Sequence, residues 1–142
     1  MSYSLEETNK LKEAATVSVI ADQELRKSNV TQFLADKGHE QAADSVRRLS
    51  STLREVGLTD ERDQPRIENL PNIAPKNLDR VANAALSVTE ELSEKRVTDT
   101  FRQNGRLNDL APVGRIDLAL QEKPLEFSTP GKLNPELVNL VQ

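Results

Sequence analysis

The sequence predicts an all-α chain: a small helical hairpin or bundle body, followed by an extended C-terminal arm broken by proline and glycine. Three observations lead there. Before residue 105, long stretches free of Gly and Pro carry Leu, Val and Ala at helical spacing. The Gly and Pro that do occur punctuate those stretches, at Gly38, Gly57, Pro65, Pro71 and Pro75. Residues 105–142 then hold four of the seven prolines and three of the five glycines, a density that should stop any long helix or strand.

The first helix is expected over about 4–27. Ser4 followed by Glu7 forms a capping-box pattern, and Leu11, Ala15, Val19 and Leu25 fall along one side. Its β-branched centre, Thr16 to Ile20, counts against the helix. A short helix over about 30–37 follows, started by Ser28 or Asn29 and stopped by Gly38. The third, about 40–56, carries Ala42, Val46, Leu49, Leu53 and Val56 at alternating spacings of four and three, a seam of coiled-coil type. Gly57 should end it in the left-handed region, with Leu58 folding back.

Residues 59–76 read as a linker, charged at Asp60 to Asp63 and then interrupted by three prolines. A long helix is expected over about 77–104, capped by Asn77 and seamed by Leu78, Val81, Ala85, Val88 and Leu92. The seam loses phase after Leu92, where Val97 and Phe101 continue on a shifted face. The two seams could pack within one chain or between copies. Residues 1–104 thus form the expected helical body.

Residues 105–142 form the expected partner-binding arm. Although rich in breakers, 15 of these 38 residues are apolar, unlike a disordered tail. The candidate protein-binding residues are Leu107, Leu110, Val113, Ile116, Leu118, Leu120, Leu125, Phe127, Leu133, Leu137, Val138 and Leu140. A Gly-cation-aliphatic-Asn/Asp pattern recurs at Gly105, Gly114 and Gly131. Within it, a turn is expected from Asn108 to Pro112, a strand-like stretch at Ile116–Leu120 suited to a partner's sheet edge, and a terminal helix over about 135–141 begun by Pro135. Fully extended, the arm would reach at most about 125 Å. Removing 105–142 is therefore expected to leave the helical body intact.

Composition narrows the chemistry. Four aromatic residues and no Trp imply a core of Leu, Val and Ala, thin enough to want help from partners. A net charge of −4 without a basic stripe argues against direct nucleic-acid binding. With no Cys and a single His, neither a disulfide framework nor a transition-metal site is expected. His39 reads as a solvated neighbour of a helix start. The glycines are isolated, so no phosphate-cradling loop is present, and Asp60, Glu61 and Asp63 lack the remaining ligands of a calcium loop. No catalytic residues, cofactor or small-molecule substrate are expected. No apolar run is long enough for a membrane span, and the N-terminal residues do not read as a secretory signal, so cytoplasmic synthesis is expected.

Ser4-Leu5-Glu6-Glu7-Thr8-Asn9-Lys10-Leu11 resembles the short helical element by which some splicing factors bind a ubiquitin-like modifier. That element continues with an Arg and a glycine-containing aliphatic stretch, whereas Lys12-Glu13-Ala14-Ala15 follows here, and its function is not carried over. The expectation is a non-enzymatic structural or assembly subunit, of the kind found in virion components and connectors, whose helical seams and arm bind neighbouring subunits as a homo- or hetero-oligomer. A monomeric regulatory binding module, whose tail folds on one protein partner, is the alternative.

Overall fold

The computed structural model describes residues 3–121 and 135–141. The described residues are all-α, with one isolated antiparallel bridge between Thr59 and Pro65. Seven helices follow in order among the described residues: α1 Leu5–Lys27, α2 Val30–Asp36, α3 Glu40–Val56, α4 Pro75–Leu92, α5 Lys95–Gln103, α6 Ala111–Gln121 and α7 Pro135–Asn139. Short 3-10 turns occupy Ile67–Asn72 and Leu107–Leu110. Helices α1, α3, α4 and α6 make the bundle, with α4 touching each of the other three.

The helix ends follow local chemistry. Ser4 Oγ accepts from the Glu7 N–H, and the Glu7 carboxylate accepts from the Ser4 N–H, closing the capping box of α1. The helix runs unbroken through its β-branched centre, where the Thr16 hydroxyl donates to the Lys12 carbonyl. At the end of α3, Gly57 sits at φ 90°, and the Leu58 N–H returns to the Leu53 carbonyl at 2.9 Å. Leu58 is thereby buried.

The seams meet inside one molecule. Ala42, Val46, Leu49 and Leu53 of α3 are buried, as are Leu78, Val81, Ala85, Val88 and Leu92 of α4, and the two helices pack together. The core is mostly Leu, Ala and Val, with Phe101 its one fully buried aromatic among the described residues. Burying a Leu or Val stabilises by roughly 1.5–3 kcal/mol, so many such residues substitute for the missing rings.

Several expectations are corrected. The long helix over 77–104 is two helices. Glu94 is extended at ψ 140°, which breaks the chain between α4 and α5 and rotates Val97 and Phe101 into the core; the loss of phase after Leu92 marks this break. Helix α4 begins at Pro75, not at Asn77, because proline suits the first helical position, where no N–H is needed. His39 stands at the start of α3 and is only partly exposed, its Nε2 lying 2.8 Å from Thr100 Oγ1. The Thr100 hydroxyl also lies 2.9 Å from the Arg96 carbonyl.

The largest correction concerns the arm. Residues 107–121 are not extended but helical, and α6 packs against both α1 and α4. Pro112 does not end a turn. It lies in the first turn of α6, where its missing N–H has no intrahelical partner to lose. Ile116 to Leu120 is helical, not strand-like, and Leu110, Val113, Ile116 and Leu120 form one buried face. The preceding turn is fastened by Arg106. Its guanidinium lies 4.2 Å from the Phe33 ring centroid and donates to the Ser28 carbonyl and the Asp109 carboxylate. Phe33 meets Phe101 edge-on at 4.8 Å. Deleting 105–142 would strip Leu110, Val113, Ile116, Leu120, Leu137 and Val138 from the core, which argues against a body that survives without the segment.

A polar network ties α1, α3 and the 59–66 loop. The buried Asp22 carboxylate accepts from Ser50 Oγ at 2.5 Å and from Arg26 Nε at 3.1 Å. Arg26 also reaches Asp63, which pairs with Arg54 at 2.6 Å. In the same loop, the Gln64 and Arg62 N–H groups and the Arg66 guanidinium hold the Asp60 carboxyl below the usual carboxylate range, outweighing the opposing effect of burial.

Two expected outcomes follow from this packing. Ending the chain after Asn104 should abolish cooperative thermal unfolding in circular dichroism, whereas ending it after Gln121 should preserve it; a normal melt for the shorter chain would make α6 dispensable. Replacing Asp22 with Ala should lower the unfolding free energy by about 2–4 kcal/mol, because Ser50 and Arg26 lose a buried acceptor. A shift in denaturant midpoint worth less than about 0.5 kcal/mol would mean the network carries little stability.

Candidate protein-binding site

The side chains singled out from the sequence divide into three groups. Leu110, Val113, Ile116 and Leu120 are at most 1% exposed and belong to the chain's own core. Leu107 and Leu118 are half-buried. Leu137 and Val138 are buried as well, on α7, and Leu140 packs against the core edge. Leu125, Phe127 and Leu133 lie outside the described residues.

Helix α7 is the unusual element. With five residues it is far below the length at which an isolated helix is stable, so its structure depends on what it touches. It lies against α6, and Glu136 makes an ion pair with Arg102 of α5. The seat is built around Gly114, in the middle of α6. A Cβ on this residue would stand 2.4 Å from the Leu137 carbonyl oxygen and 2.9 Å from its carbon. Only the absence of a side chain lets the two backbones meet, a close approach of the kind glycine permits.

Burying Leu137 and Val138 contributes roughly 3–6 kcal/mol. Ordering the seven residues 135–141 opposes this with roughly 7–14 kcal/mol of backbone entropy, so these two side chains do not hold the helix by themselves. The contact is therefore marginal, and it seats a short helix against α6 at Gly114.

Sequence reading picked out Leu137 and Val138 but missed Gly114, Arg102 and Glu136. It read Gly114 as part of a recurring pattern in a breaker-rich segment, and that residue's role depends on a backbone 23 positions further along the chain. The apparent kinship of Gly105 and Gly114 does not extend to structure, since Gly105 is a turn residue at φ 67° and Gly114 is helical. Gly131 lies outside the described residues.

Elsewhere, an open cavity of about 640 Å³ is lined by Arg54, Glu55, Thr59, Asp60, Glu61 and Arg62. Arg54 and Asp60 are already engaged with Asp63 and Arg66. A smaller polar groove of about 240 Å³ is lined by Arg48 of α3 and by Ser87 and Glu91 of α4. Among the described residues, no group of three or more His, Asp or Glu is placed to hold a metal ion, and no helix is long and apolar enough to cross a membrane. Comparison with known protein families, curated proteins and solved structures finds no match to this chain.

Replacing Gly114 with Ala separates the seat from the helix that bears it. In the full chain it should displace α7, read as new protease cleavage within 135–141. In a chain ending after Gln121 the same change should be neutral or stabilising by up to about 1 kcal/mol, since Ala is the better helix former. Equal destabilisation in both chains would show that Gly114 serves α6 alone.

Proposed function

We propose that the protein is a non-enzymatic subunit of a larger protein assembly: a helical body that binds neighbouring subunits through its C-terminal segment. The observation that carries this reading is the seat at Gly114, which receives an apolar helix too short to be stable alone. A tethered element of this kind adds avidity without a large permanent interface. The reading is narrower than an arm beginning at Gly105, because the aliphatic face of α6 is committed to the body.

The second reading, a monomeric regulatory module, is favoured by a different observation. Residues 3–121 bury a continuous core of their own, as a chain working alone requires. In that case α7 would leave its seat to meet one protein partner.

The experiment compares the full chain with a chain ending after Gln121, by sedimentation over a range of concentrations and by co-purification from the native source. The assembly reading expects self-association or a stoichiometric partner for the full chain, lost on truncation, with helical circular dichroism reduced by no more than the share of α7. Association that persists undiminished without 122–142 would contradict it.

A further inference from the structure

Helix α5 is anchored along one stripe and charged along another. Val97, Thr98 and Phe101 are buried, whereas Lys95, Asp99 and Arg102, at i, i+4 and i+7, share a second stripe. That stripe is joined in series. Lys95 Nζ donates to one Asp99 carboxylate oxygen at 2.7 Å, and Arg102 Nη1 donates to the other at 2.6 Å. The second terminal nitrogen of Arg102 meets the Glu136 carboxylate of α7.

We propose that this series is an electrostatic catch: Asp99 holds the Arg102 guanidinium in place for Glu136, and ionic strength sets how often α7 is seated. Such a catch regulates the site described above. It rests on the reading that the C-terminal segment is the binding element, since an unseated segment is the one free to meet a neighbouring subunit.

The balance at the seat leaves room for this control. Burial of Leu137 and Val138 does not by itself offset the ordering of residues 135–141, so weaker contacts decide how much of α7 is docked. The pair between Arg102 and Glu136 adds a point of attachment on α5, a different helix from the one that bears Gly114. Its two side chains are 47% and 36% exposed, so dissolved ions reach the pair and screen it. A pair this exposed moves an equilibrium by about two- to fivefold.

Asp99 is a positioning residue in this arrangement, because its own ion pairs lie within α5. Lys95 above all, with Arg102, keeps its carboxyl below the usual carboxylate range against the opposing effect of burial. A guanidinium already fixed in this way loses less freedom when it meets Glu136. If Asp99 merely competed for Arg102, its removal would instead strengthen the hold on α7.

The test is amide exchange of Leu140 and Val141, whose N–H groups return to the Leu137 and Val138 carbonyls. It is run on the full chain at about 0.01 M and about 1 M sodium chloride, with a free peptide of residues 135–141 correcting for the direct effect of salt on exchange. Exchange should quicken by about two- to fivefold at the higher salt. Glu136→Gln and Arg102→Gln should each produce that quickening at low salt and remove the salt response, and combining them should add nothing further. Asp99→Asn should also quicken exchange and blunt the salt response, while the circular-dichroism melt of the body stays unchanged.

Salt-independent exchange in the wild-type chain, additive effects of the two charge removals, or slower exchange in Asp99→Asn would each overturn the inference. Exchange as fast as in the free peptide at about 0.01 M salt would overturn it equally, since α7 would then not be seated. These failures differ from failure of the assembly reading, which is marked by association that persists after truncation at Gln121.

Discussion

The packing of α6 against α1 and α4 is the constraint on which the remaining architecture rests. Helix α1 buries a broad arc, from Val19 on one side through Leu11 and Leu25 to Ala21 on the other, wider than one flanking helix covers. Val113, Ile116 and Leu120 supply the missing cover, and an ion pair between Arg115 and Glu24 joins α6 to α1 at the surface. Once α6 is fixed, its outer side presents Gly114, and only then does α7 have a place to form. The C-terminal helix is thus the last link in a chain of dependence that begins with a hydrophobic contact between distant segments.

That order explains what could be read in the sequence. Local signals were legible: the Ser4–Glu7 box, the alternating seam of α3 and the Gly57–Leu58 stop each act within a few residues. The break at Glu94 left a trace as the loss of phase after Leu92. The region 105–121 misled for a physical reason. Proline and glycine are breakers by position, not by presence, and Pro112 falls in a first turn while Gly114 gains a tertiary contact that offsets its poor helix propensity. The apolar positions 110, 113, 116 and 120 already had helical spacing, and the punctuation obscured it.

Asp22 is a parallel case. From the sequence, Asp22 and Arg26 look like an ordinary i, i+4 surface pair, yet the carboxylate is buried beneath Ser50. No local rule anticipates this, since the covering residue comes from α3. The candidate site was half legible in the same sense: its aliphatic anchors Leu137 and Val138 stood out, whereas the glycine that admits them did not. Apolar anchors announce themselves by composition, and a groove is made by folding.

The central claim is that α7 is a separately opening element held on a stable body. Native-state hydrogen exchange, followed as a function of denaturant, tests it most directly. The account predicts that the amides of Leu140 and Val141 exchange through an opening much cheaper than global unfolding and nearly independent of denaturant, while those of Ile116 to Leu120 exchange only when the whole molecule unfolds. Equal protection in both segments, with the same denaturant dependence, would make α7 an inseparable part of the core and contradict the account.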